Sequence, residues 1–296
     1  MEIPVQMEWG DQTVGSFEDF VRFMRDVLPS TGSEDRLYWF RGQSDASWKL
    51  EPSLMRSLRH FELSLKEALQ LEEQALGIFR CKAHLFLSPT LLAKIYTKPC
   101  WWAVMQHHGA PTRMLDWTIS PYVAAYFAAL HDGNKAPGAV WAFCSKNLHR
   151  SFVTRHGQPP EFDDPAAVSW YEGRLQELRD QQVVLPLEFK YVTSERIAAQ
   201  QGRFTMGFDV LRNHNECIQA QVGDDHVRKI VIPHEKKAEF LLRLRDMNIT
   251  GAALFPGIDG LGQAVSEYVS VGARYGPVIC AQEHAAGKAV GRTAGS

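Results

Sequence analysis

Three short segments bring together side chains able to do chemistry. The first is Phe40–Arg41–Gly42–Gln43. An arginine beside glycine at the end of an aromatic run suits an anionic ligand. Its fork can take two oxygens of a phosphate or carboxylate, and glycine lets the backbone approach. The same arginine suits an internal carboxylate equally well. The second segment runs from Gln106 to Thr118 and holds His107, His108, Arg113 and Asp116. Asp116 is placed to pair with Arg41 or Arg113. Adjacent histidines on a helix point about 100° apart and chelate poorly, so hydrogen bonding or capping is expected of them and no metal site is assigned. The third segment is residues 254–261, read as a strand and a turn with Asp259 capping the helix that follows.

These segments have to be positioned by a core. The chain has 296 residues, 45% hydrophobic and 22% charged, an ordinary globular balance. Its formal net charge of −2 gives no global attraction to nucleic acid or anionic lipid. Arg36, Arg41, Lys49, Arg56 and Arg59 nevertheless fall close together, as a local basic face or as a solvated surface. Five cysteines without C-x-x-C spacing point to reduced thiols rather than a disulfide framework or zinc knuckle. The start lacks a secretory pattern, and no stretch reaches about 18 uninterrupted apolar residues. A cytoplasmic protein without a membrane partner is therefore expected. Phosphate-loop, dinucleotide-fold, α/β-hydrolase and H-E-x-x-H signatures are all missing.

Ser16 and Asp19 open a first helix in a capping-box variant, ended by Pro29. A short aromatic strand follows at 37–40. Helices are expected over 61–80, after Ser88–Pro89, over 100–108 closed by Gly109, and over 122–131 after Ser120–Pro121. Residues 111–118 read as extended and 138–143 as a buried strand. An excursion spans about 145–182, with a helix near 166–181. Strands follow at 183–189 (an edge, by Pro186), 229–232 and 251–255, with helices at 195–200 and 235–247. The tail 282–296 is Ala/Gly-rich and expected to be disordered. The pattern predicts an α+β protein, a mixed sheet core with a helical N-terminal half. Its parts are an N-terminal helical extension (1–36), a main domain (37–270) and the tail.

Phe40–Arg41–Gly42–Gln43 with Trp48, Leu50, Pro52, Ser53 and Arg56 resembles the opening of the bacterial FRG domain, named for its Phe/Tyr-Arg-Gly motif. Gln106–His107–His108–Gly109, Pro111–Thr112–Arg113, Leu115–Asp116–Trp117–Thr118, Ser120–Pro121 and Tyr126–Phe127–Ala128 resemble its second block. Arg196–Ile197, Gln200–Gln201–Gly202 and Phe204 resemble a third. Phe255–Pro256 and Asp259–Gly260–Leu261 resemble the closing block. A more distant resemblance is to ADP-ribosyltransferases, which hold NAD on a strand ending in Arg-Gly or His-Gly. Phe40–Arg41–Gly42 is similar to that strand, and Asp116 to Ser120, leading into Ala124, Ala125 and Phe127, is similar to a second.

The resemblance implies an ADP-ribosyltransferase-like fold and an NAD-consuming enzyme acting as a bacterial toxin or phage-defence effector. NAD would be the substrate and no metal would be needed. Catalytic roles would fall to Asp116, Asp259 and Thr118, with Asp259 standing in the order of the group's glutamate but a methylene shorter. Arg41, Gly42, Gln43, Arg113, Trp117 and Tyr126 would hold the nucleotide, with Trp117 or Tyr126 stacking on the nicotinamide. An antitoxin or regulatory protein would be the partner, and protein, nucleic acid, a small molecule or water would be the acceptor. The alternatives are a non-enzymatic FRG module that binds a nucleotide or anion, and a partner-binding regulator.

Overall fold

Uniformly apolar runs bounded by glycine form the centre of a sheet, and alanine-rich or amphipathic runs form the helices that cover it. The computed structural model describes residues 9–26, 38–130, 135–189 and 194–276. The expected stop at Pro29, Arg36 with the strand start at residue 37, and the expected disordered tail lie outside the described residues.

Strand β1 (Asp11–Thr13) and helix α1 (Phe17–Asp26) precede β2 (Tyr38–Gln43). Helices α2 (Ser53–Leu58), α3 (Leu65–Ala83), α4 (Pro89–Leu92) and α5 (Lys98–His107) follow. Then come β3 (Met114–Thr118), α6 (Pro121–Ala129), β4 (Gly138–Cys144), α7 (Ser145–His156) and α8 (Ala167–Glu177). After β5 (Val184–Leu187), α9 (Glu195–Ala199), β6 (Gly202–Gly207) and α10 (His214–Val222) lie β7 (Val227–Ile232) and α11 (Lys237–Asp246). Helices α12 (Gly251–Leu254) and α13 (Ile258–Tyr275) end the described chain.

The described strands form one seven-stranded sheet in the order β1-β7-β4-β2-β3-β6-β5. β1 and β7 are parallel and the other neighbours antiparallel. The α+β expectation with a mixed sheet holds. β5 lies at the edge that Pro186 predicts. Ladder lengths are unequal across the sheet. β2 pairs with β4 from Tyr38↔Cys144 to Gln43↔Ala139, and β3 pairs with β6 from Met114↔Met206 to Thr118↔Gly202. Between β2 and β3 there is a single rung, Phe40↔Thr118. Beyond it the strands part.

Helices fill each face according to strand parity. On one face Phe40, Val140, Ala142 and Ile230 pack under α1, α6 and α11. Further along that face Met114, Leu185, Phe204 and Met206 pack under α5 and α8. The opposite face buries Trp39, Leu115, Trp117, Trp141 and Phe143 against Leu50, Leu148 and Ile218. Helix α6 sits unusually close to β2 and β4. A Cβ at Gly42 would stand 2.7 Å from the Ala128 nitrogen, and one at Gly138 would stand 2.8 Å from the Ala128 carbonyl carbon. The glycine of the Arg-Gly pair is thus required by a helix backbone.

Several sequence expectations need correction. Residues 251–254 form a helical turn, not a strand. Thr250 caps it, accepting from the Ala253 N–H at 3.3 Å, and an apolar run this short cannot be assigned by periodicity alone. Asp259 is not a cap either. Gly257, at φ 88°, holds that position, and Asp259 lies in the first turn of α13. Within the segment 145–182, α7 and α8 bury Leu148, Phe152 and Tyr171 in two of the clusters. β1, β6, α7 and α10 were not anticipated. β1 is three polar residues whose conformation is set by β7, and β6 is ordered by neighbours on both sides. Among the described residues, no helix is long and apolar enough to cross a membrane, and Cys81, Cys100, Cys144 and Cys217 are free thiols.

Candidate functional site

The parting of β2 from β3 opens a crevice of about 210 Å³ on the α6 face of the sheet. Phe40, Asp116 and Thr118 form its floor. Phe127 of α6, His107 of α5 and Arg196 of α9 rise around it. Arg41 stands at the gap. The Ile119 N–H bonds the Gln201 carbonyl, so the Asp116 backbone groups face β2. Where the ladder is broken, Arg41 supplies the missing donor: its Nη1 donates to the Asp116 carbonyl at 2.7 Å.

The Arg41 guanidinium is short of partners. Its side chain is 19% exposed, and the carboxylate of Asp116 is 4.0 Å from Nη1 and 59% exposed. Nε is buried and, among the described residues, has no hydrogen-bond partner. Loss of hydration lowers the Arg41 pKa; Asp116 opposes that shift and Arg56 adds to it. A cation in this condition is set to take an anion.

Both long motifs meet here. The Leu54 N–H donates to the Thr112 carbonyl at 3.0 Å, and the Thr112 N–H donates to Ser53 Oγ at 3.0 Å, so α2 is pinned to the loop before β3. Thr112 also donates its hydroxyl to Gln106 Oε1. His107 is half-buried, with Nδ1 3.3 Å from the Ser194 hydroxyl. Burial first, then the charges of His108 and Arg196, push its pKa below the ordinary imidazole value against the pull of Asp116. The neutral, proton-accepting form of the ring is thereby favoured.

The expected site residues divide. Arg41, Gly42, Asp116 and Thr118 line the crevice, and Gln43 lines a wider groove next to it. Thr118 Oγ1 accepts from the Ser120 N–H at 3.0 Å and so shapes the entry to α6. Arg113 is not brought to the crevice. It lies in the core, forked on Glu72 through Nε at 2.7 Å and through Nη2, with Nη1 donating to the Phe208 carbonyl at 2.8 Å. Trp117 belongs to the crevice strand, but its indole is on the opposite face. There Nε1 donates to Thr205 at 2.8 Å and the ring meets Phe143 edge-on at 4.6 Å. Tyr126 is fully buried and donates its hydroxyl to Glu267, with its pKa raised by burial and then by that carboxylate. Asp259 is exposed on α13 and outside the crevice lining.

Phe127 borders both cavities. Phe127, His107 and Arg196 line the crevice but are not among the site residues expected from sequence. Strand alternation was the available signal against Trp117, since residues 116 and 117 must face opposite sides. Among the described residues, no cluster of three or more His, Cys, Asp or Glu side chains is arranged to hold a metal.

Residues 36–136 match the family model of the FRG domain. This supports the FRG resemblance for the stretch containing β2, α2 to α6 and β3. The blocks near Arg196 and Phe255 lie beyond it. No curated protein and no solved structure matches the chain.

Proposed function

We propose that the crevice binds NAD and that the protein is an ADP-ribosyltransferase-like enzyme that breaks the bond between nicotinamide and ribose. The observation that supports this most is Arg41, a largely buried guanidinium with an unpartnered Nε at the mouth of a crevice. A pyrophosphate would complete its shell with charge-assisted hydrogen bonds. The nicotinamide would enter the crevice beside Phe127. As the glycosidic bond breaks, its electron pair leaves with nicotinamide, and positive charge develops on the ribose carbon and ring oxygen. Asp116 would face that charge. The incoming nucleophile, from water or an acceptor, would bond to the ribose carbon and pass its proton to neutral His107.

A second reading is a nucleotide- or anion-binding module without turnover. It is favoured by the position of Asp259, which leaves Asp116 as the carboxylate on the crevice wall. The test is nicotinamide release from NAD by purified protein, alone and with candidate acceptors, beside NAD binding by calorimetry. Arg41→Ala should weaken NAD binding by roughly 1.5–3 kcal/mol, the value of a charge-assisted bond. Asp116→Asn should lower kcat more than affinity. Thermal stabilisation by NAD without nicotinamide release would favour the binding module, and a wild-type protein that neither binds nor consumes NAD would remove the first reading.

A further inference from the structure

Beside the crevice runs a wider groove of about 1280 Å³, sharing Arg41, Gly42 and Phe127 with it. Its walls come from the loop and helix after β2, bearing Trp48, Lys49, Arg56 and Arg59, and from α13, bearing Gln263 and Ser266. Four cations line it, but two are already matched. Lys49 Nζ is 3.2 Å from Glu216, and Arg59 Nη1 is 3.4 Å from Glu51. Glu267 on the far wall is engaged by the Tyr126 hydroxyl and by the Gly251 N–H at 3.3 Å. The weakest compensation is at Arg41, whose Asp116 carboxylate is exposed and 4.0 Å away, and at Arg56. Arg56 donates to the backbone carbonyl of Glu51, with no carboxylate against it among the described residues. The charge of Arg56 adds to the lowering of the Arg41 pKa, so the two charges feel one another.

Two weakly compensated guanidiniums lining one cavity are the arrangement expected of an anion clamp. Its extent matters. Two such charges lining one groove suit a diphosphate, whereas a nucleic-acid strand would call for a longer row of free cations. The same groove is lined by Trp48, which is 52% exposed. A large indole beside a phosphate site offers a face on which a purine can stack.

We propose that this groove is the subsite for the nucleoside-diphosphate half of the ligand, with Arg41 and Arg56 clamping the diphosphate and Trp48 stacking the base. This rests on the crevice being a nucleotide site, and it adds two residues and a direction: the ligand enters along the groove and ends in the crevice. It also gives ADP a binding site without nicotinamide.

The test is calorimetric titration with ADP, inorganic pyrophosphate and adenosine, run beside the NAD assay. Arg56 and Trp48 are exposed, so their variants should fold, which a melting curve checks. Arg56→Ala should weaken ADP and pyrophosphate at least tenfold. Trp48→Ala should weaken ADP and adenosine at least fivefold. Wild-type protein that does not bind ADP, or ADP affinity unchanged in both variants, overturns the assignment. The two proposals fail separately. Arg56-dependent ADP binding with no nicotinamide release keeps the groove and sinks the enzyme. Nicotinamide release with KM unchanged in Arg56→Ala keeps the enzyme and sinks the groove.

Discussion

Arg41 and Arg113 are both withdrawn from water, both adjoin the central strands, and the two differ in how far their needs are met. Arg113 is 3% exposed and complete. Glu72 takes its fork, a carbonyl takes a further N–H, and the Trp102 ring lies 4.7 Å below the guanidinium carbon. Arg41 has one good hydrogen bond, a distant carboxylate and an unpartnered Nε. A buried cation with a finished shell is part of the framework, holding α3 to the start of β3. One with an unfinished shell in a cavity wall is a functional candidate. The distinction comes from partners, since both are arginines in conspicuous motifs.

The strongest challenge to this contrast is Arg113→Met. It strands the Glu72 carboxylate in the core and should cost about 3–5 kcal/mol in urea denaturation. Adding Glu72→Leu should recover a large part of that loss, because the pair is then replaced by apolar volume. A loss under about 1 kcal/mol, the range of surface pairs, would show that Arg113 is not the framework cation described here.

A middle-sized effect comes from His214, which feels both arginines. Burial, assisted by the charges of Arg41 and Arg113, lowers its pKa to about 3. The unfolded imidazole takes up a proton as pH falls below its ordinary value near 6.5, and the folded one does not until about 3. Unfolding therefore binds a proton in that window. Stability should fall with decreasing pH at up to about 1.4 kcal/mol per unit from this residue, reaching about 2 kcal/mol by pH 5, and should be insensitive to it above pH 7. Comparing denaturation at pH 7 and pH 5 in wild type and His214→Gln checks the sign, since the substitution should flatten the slope.

The smallest effect should be that of Arg41→Met on stability. Removing an incompletely partnered buried charge leaves only the exposed Asp116 behind. Denaturation should stay within about 1 kcal/mol of wild type or rise above it. A loss as large as that of Arg113→Met would make Arg41 a framework residue too.

Much of the local structure was legible because its causes are local. Ser88 and Ser120 each accept the N–H three residues on and start the helices that serine suggests. The approach of Arg41 to Asp116 was legible as economy of charge. What sequence could not give was sidedness and distant company. Glu72 is 41 residues from Arg113 and sits within an ordinary amphipathic helix, where nothing marks it as a buried partner. His107 and Arg196 share a crevice because α5 and α9 both lean over the gap between strands. Gly42 looked like room for a ligand, but the close passage of α6 requires it.

The lone rung Phe40↔Thr118 has a mechanical consequence. A sheet stitched across its middle by one residue pair is two panels on a narrow hinge, β1-β7-β4-β2 on one side and β3-β6-β5 on the other. Each panel has long internal ladders, so each can keep its own amide protons while the seam breathes. A ligand touching Arg41 on one panel and Asp116 on the other adds to the stitch that the Arg41 Nη1 hydrogen bond to the Asp116 carbonyl already makes. Occupancy of the crevice would then register as stiffness across the whole sheet, far from the atoms the ligand touches, and slow exchange at the seam would be a footprint of binding.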